Sequence, residues 1–460
     1  MDLTAGHVWV MVSAALVLLM TPGLAFFYGG MTRAKAALNM MMMSFIAVGL
    51  VGIVWVLWGY SMTGGDGIAQ LFGDPFTSFG LTSLIGTEDL IGAGYGATFA
   101  IITVALISGA IADRAKFGAW TIFVPIWVTA VYCPLAFMVW GGGLLGADGA
   151  VGGAFGEAID FAGGTVVHIN AGVAALVLAL ILGKRQGFGK DPAQRPHNIP
   201  FVMLGAALLW FGWFGFNGGA AGSAEEAGLI WVNTMAAPAA AMVGWLMTER
   251  IRDGRPTSLG AASGIVAGLV AITPACANVS PVGAIGLGIV SGIVCALAVG
   301  IKYRLGFDDS LDVVAVHLVA GIIGTLSLGF IALPVDGEGG GLLYGGGAAQ
   351  LVAQIVAAAI AIAFSAIMTA IIGLAIHKTI GFRISPDNEV SGVDLSEHAE
   401  TAYEFGGLGV GGSFHPFAEQ MLAQQKPAQE QQAAEQQPAE HQTITRQKSK
   451  KQSVTEGVHS

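Results

Sequence analysis

The chain has 460 residues, 54% of them hydrophobic and 11% charged, with a mean hydropathy of +0.70. Soluble domains carry about 25% charged residues, so this chain cannot cover a water-facing surface and a soluble enzyme is excluded. The 69 glycines lie inside apolar runs without a collagen period, as they do where helices pack closely in lipid.

Residues 8–29 read as the first spanning helix, and MDLTAGHVW lacks the basic n-region of a cleaved signal peptide. Beyond it the formal charge of −10 proves to be sorted by position. Basic residues cluster at Arg33/Lys35, Arg114/Lys116, Lys184 to Arg195, Arg250 to Arg255, Lys302/Arg304 and Lys378/Arg383, with the rest beyond Lys426. Stretches 36–113, 117–183, 196–249, 256–301 and 305–377 hold no Lys or Arg. Each accommodates two helices of about 20 residues with a connection. One helix plus five pairs predicts eleven.

The connections inside the pairs are acidic or uncharged. Asp66, Asp74, Glu88 and Asp89 mark the first, Asp148, Glu157 and Asp160 the second, Glu225 and Glu226 the third, and Asp336 and Glu338 the fifth. Positive-inside bias puts the basic clusters in the cytoplasm, hence an external amino terminus and an internal carboxyl terminus. Cys133, Cys276 and Cys295 form no motif, which argues against a disulfide framework or a zinc site. The Gln/Ala/Glu/Pro stretch 418–460 reads as a disordered tail.

Polar residues within the spans carry most information, because burial there is expensive. Of nine histidines, His168 and His317 alone fall within apolar helices, the fifth and the tenth. VHINAG at 167–172 and VHLVAG at 316–321 echo one another five helices apart, so the second repeat is inverted. The expected fold is an all-α polytopic membrane protein of two inverted five-helix repeats plus a final helix, whose binding site lies at the repeat interface near the midplane. A two-histidine metal centre completed by Asp160 is the alternative use of the pair, and with it an intramembrane hydrolase. A sensor that binds and signals through its tail is another.

DFAGGTVVHINAG (160–172) resembles the signature of the ammonium transporter family (Amt/Mep, related to Rh proteins). TPGLAFFYGGM (21–31), MVWGGG (138–143), GKR (183–185), WFGFNGG (213–219) and TPAC (273–276) agree, and the likeness runs over about residues 6–405. The resemblance implies a homotrimer in the cell membrane, each protomer carrying its own pore for ammonium or ammonia, with no cofactor, no metal and no nucleic-acid partner. It implies that Trp140 recruits ammonium, helped by Tyr95 where relatives often have Phe. Phe99 and Phe216 would gate the pore, His168 and His317 line it with Thr273 beside it, and Asp160 orient the site. Ala220 stands where many members have a serine, and Gly96 where a glutamine is frequent. The domains implied are 1–380 in the membrane, a regulatory segment at 381–417 and the tail, with a PII-type signalling protein as a possible cytoplasmic partner.

Overall fold

The computed structural model describes residues 3–190, 195–335 and 339–403. Asp336 and Glu338 of the fifth connection, residues 404–417 of the expected regulatory segment, and the expected tail at 418–460 lie outside the described residues. The chain divides into Met1–Ala402 and Tyr403–Ser460, and the helical architecture is that of the first unit.

Among the described residues, ten helices are long and apolar enough to cross a membrane. They are α1 (Ala5–Met31), α2 (Ala34–Met62), α3 (Asp89–Ile111), α4 (Phe117–Trp140), α5 (Gly164–Leu182), α6 (Ile199–Gly218), α7 (Ala224–Arg252), α9 (Pro281–Leu305), α10 (Val314–Ile331) and α11 (Ala349–Thr379). Between α7 and α9 lies α8 (Ser258–Ile272). The protein is a multi-pass membrane protein. Apolar side chains such as Ile53, Leu180, Phe211, Val243 and Ile367 stay exposed on the helices; in water they would invite aggregation, but in lipid they are the solvated face. A hairpin pairing Gly67–Ile68 with Phe72–Gly73 interrupts the otherwise helical pattern in the first connection.

Of the eleven expected spans, the one at α8 is a shorter helix than the rest. Its 15 residues rise only about 22 Å at 1.5 Å each, against a hydrocarbon core of about 30 Å. The remaining depth is crossed by turns from Thr273 to Ser280, mostly buried in protein. Non-helical backbone survives at membrane depth only when its polar groups are satisfied internally. Asn233 of α7 satisfies them, donating to the carbonyls of Cys276 and Val279, both at 2.8 Å.

The two histidine helices start alike. α5 begins with a π-helical stretch, Gly164–Ile169, and α10 with another, Val314–Val319, each containing its histidine. They cross with their histidine-bearing segments in contact. A β-carbon at Gly172 would lie 2.5 Å from the Leu318 backbone nitrogen, and one at Gly321 would lie 3.2 Å from the His168 β-carbon. The glycine four residues after each histidine is thus where the other helix passes. That contact explains the repeated V-H-x-x-A-G in physical terms.

Candidate functional site

The chain enters α5 through Gly163, whose φ of 115° only glycine adopts without strain. The first-turn amides of a helix have no partner within it, and in lipid that is a large cost. Asp160 satisfies them. Its carboxylate accepts from the amides of Gly163 and Thr165, both at 2.9 Å, and Val166 at 3.2 Å, as well as from the Gly164 amide and the Thr165 hydroxyl. A negative charge at a helix start is also favoured by the helix dipole. Both carboxylate oxygens are therefore committed to backbone. Among the described residues no group of three His, Cys, Asp or Glu side chains could hold a metal.

The preceding peptide is clamped from α11 by Gln354, a residue absent from the sequence-level candidates. Its amide accepts from Ile159 N–H at 2.7 Å and donates to Ile159 C=O at 2.8 Å and Thr325 C=O at 2.9 Å. A Gln inside an apolar helix was the available signal. It holds the loop that carries Asp160.

His168 and His317 meet with their Nδ1 atoms 3.3 Å apart and their rings stacked at 5.4 Å. Two neutral imidazoles joined through Nδ1 must be opposite tautomers, one donating and one accepting. Trp213 of α6, also passed over by the sequence reading, stacks on His168 at 5.5 Å. Thr273 sits behind it: its hydroxyl accepts from Trp213 Nε1 at 2.8 Å and donates to Leu269 C=O at 2.7 Å. The threonine fixes the indole, and the indole fixes the histidine.

Between Phe216 and His317 lies a chamber of about 10 Å³, lined also by Trp213, His168, Leu24 and Leu209. One water needs roughly 10–15 Å³ of such space, so the chamber admits one water-sized molecule. Phe216 stacks on Phe99 with centroids 4.1 Å apart and planes 20° from parallel. Phe99 continues to Tyr95 at 4.9 Å and to Trp140 at 6.3 Å, both edge-on. Beyond the phenylalanines opens an outer cavity of about 300 Å³, where Trp140, Tyr95, Gly96 and Ala220 come together with Trp55. The structure thus brings Trp140, Tyr95, Ala220, Phe99, Phe216, His168 and His317 into one file. Asp160 and Thr273 support that file from the side.

The sequence model described as Ammonium Transporter Family matches residues 8–403. The chain belongs to this family. An ammonium transporter of Mycobacterium tuberculosis is 53% identical over 431 residues, covering 86% of this chain and 90% of the relative. The crystal structure of Candida albicans Mep2 superposes with a TM-score of 0.77 at 34% identity, covering 87% of this chain and 90% of that one. A structure described as a sensor Amt protein gives 0.78 at 29% identity, covering 85% and 98%.

At the opposite end of this family member, the basic clusters converge on carboxylates. Arg185 binds Asp308 through Nε and Asp113 through Nη1, both at 2.9 Å, and Arg33 approaches Asp113 at 3.7 Å. Burial works to raise the Asp308 carboxyl, but the hydrogen bonds and charge of Arg185, with Arg114, hold it below the usual range. Asp309 is pushed the other way by burial, to about 6, against the pull of Lys302.

The segment after α11 fastens to the same end through α12 (Pro386–Ser391) and α13 (Val393–His398). Ile384 N–H donates to Arg114 C=O at 3.1 Å, while Glu389 binds Arg383 at 2.6 Å and accepts from Gln186 N–H at 2.6 Å. Asp394 accepts from the amides of Leu38 and Asn39 at the start of the apolar part of α2, at 3.0 and 2.8 Å. Burial raises the Asp394 carboxyl, and those two amides oppose the shift.

Proposed function

We propose that the chain transports ammonium across the cell membrane, recruiting it at Trp140 and Tyr95 and passing it as ammonia between His168 and His317. The observation that carries this reading is the narrowing from an aromatic cavity to a chamber of about 10 Å³ beside two bonded imidazoles. A cation over an indole gains about 1–2 kcal/mol, enough for weak selective capture. A bare cation in the dry chamber would be costly. Ammonium can leave its proton behind, whereas potassium cannot. The imidazole pair offers an acceptor and a donor within one hydrogen bond, so a proton can be held or relayed without an isolated buried charge.

On this reading the protein is a transporter rather than an enzyme, and the hydrolase reading is disfavoured by the engagement of Asp160 with backbone amides. The basic end is cytoplasmic, in keeping with positive-inside bias. We further read the assembly as a homotrimer, with the 381–403 segment coupling the state of α2, α4 and α5 to a PII-type protein on the cytoplasmic face. The likeness to a sensor Amt protein favours a signalling role alongside flux. Ammonium-evoked current in proteoliposomes, compared with potassium, tests the central claim. We expect current with ammonium and none with potassium; equal currents would remove the deprotonation step.

A further inference from the structure

The outer cavity is far larger than its supposed guest requires. At about 300 Å³ it is roughly twenty to thirty times the 10–15 Å³ that one water needs, and reaches the lower bound of small-molecule pockets. Its walls are ring faces. More than half of the lining residues are aromatic, and none of them carries a carboxylate or a side-chain amide.

Three of the polar tips in these walls are turned into the protein. Trp55 Nε1 donates to Ala93 C=O and Trp140 Nε1 to Asp160 C=O, both at 2.8 Å, while the Tyr95 hydroxyl donates to Phe216 C=O at 2.6 Å. Trp55 also fills the space beside Gly96: a β-carbon there would lie 2.8 Å from its Cζ2. An indole thus stands against the position where a glutamine side chain would start. Ala220 adds no hydroxyl of its own to the mouth.

Ammonium wants hydrogen-bond acceptors for four N–H groups, and such a surface supplies few. A methylated quaternary ammonium wants none. Its charge is spread over apolar methyl groups, which suit ring faces, and aromatic cages are the recognised receptors for such cations.

We propose that this cavity is an aromatic cage for quaternary methylammonium cations, with Trp55 as its second indole wall, and that such cations block the pore rather than cross it. They cannot follow ammonium inward. The Phe99–Phe216 stack and the one-water chamber are too narrow, and a quaternary nitrogen has no proton to surrender. The proposal rests on the cavity being the entry to the transport path.

Choline and its uncharged carbon isostere, dimethylbutanol, separate the possibilities. The full-length protein in proteoliposomes is titrated with each while ammonium current is recorded, and choline binding is measured by calorimetry on detergent-purified protein. We expect choline to bind, to suppress the current competitively with ammonium and to evoke none itself, with dimethylbutanol inert. Trp55→Leu should raise the half-inhibitory choline concentration by roughly five- to thirtyfold, and the conservative Trp55→Phe by less, each read against that variant's own KM for ammonium. Absence of choline binding in protein that still conducts ammonium overturns the cage and spares the transport reading. Binding that leaves the current untouched overturns the block and takes the cavity off the path. A choline-evoked current overturns exclusion at the phenylalanines. Equal inhibition by dimethylbutanol would show that ring faces are not reading charge.

Discussion

The outer cavity and the histidine chamber are neighbours separated by two stacked phenylalanine rings, yet they differ about thirtyfold in volume, 300 against 10 Å³. The cavity is open, aromatic and generous. The chamber is enclosed, apolar and held from behind by Thr273 through Trp213. Capture by ring faces tolerates loose geometry because cation–π attraction varies slowly with position, whereas discrimination in the chamber depends on excluding a second molecule and on a bond between two nitrogens. Changes in the cavity should therefore alter affinity, while changes in the chamber should alter what is allowed through.

The largest effect should follow replacement of both His168 and His317 by Ala. Removing a positioned proton acceptor typically costs about 10²–10⁴-fold, so ammonium current should fall on that scale, or the emptied chamber should hydrate and admit potassium. Size-checked protein keeping its ammonium current and excluding potassium would reduce the pair to packing. Gly172→Ala attacks the same region through its frame. Helix propensity alone favours alanine by about 1 kcal/mol, but the new β-carbon would stand 2.5 Å from the Leu318 backbone nitrogen, which no rotamer relieves. Overpacking of this kind costs about 1–3 kcal/mol. The melting temperature should drop and potassium leak should appear. A rise in melting temperature would mean that the crossing is not tight.

Trp140→Leu tests the other side of the comparison. Losing the indole face should raise the KM for ammonium by roughly five- to thirtyfold, with potassium still excluded. Potassium entry in this variant would erase the division of labour between cavity and chamber.

What the sequence disclosed follows from which forces act on single positions. Charges are so costly in lipid that the basic clusters alone marked where the spans end, and the echo of VHINAG in VHLVAG disclosed the crossing helices. Trp213, Trp55 and Gln354 stayed hidden because aromatics and an occasional amide are ordinary in membrane helices; only their three-dimensional partners single them out. The shortness of α8 was equally hidden. The turns after it, TPACANVS at 273–280, mix apolar and small polar residues, and Asn233, which satisfies two of their carbonyls, lies more than forty residues upstream. Asp160 could be placed near the site from its motif, but its capping of four successive amides is visible only in space.

The smallest effect should come from Ala220→Ser, which adds one hydroxyl to the mouth of the outer cavity. A single neutral hydrogen bond contributes about 0.5–1.5 kcal/mol net, or roughly two- to twelvefold in the KM for ammonium. Position 220 lines the cavity in the turn after α6, so the hydroxyl can serve an N–H of ammonium without touching the chamber, and maximal current and potassium exclusion should not move. A methylated nitrogen has no N–H to offer, so choline inhibition should stay level or weaken as ammonium capture improves. The ratio of the two affinities is thus more telling than either alone. Were serine to strengthen both cations equally, the gain would come from general polarity at the mouth, and the cavity would not be choosing between hydrogen bonds and ring faces.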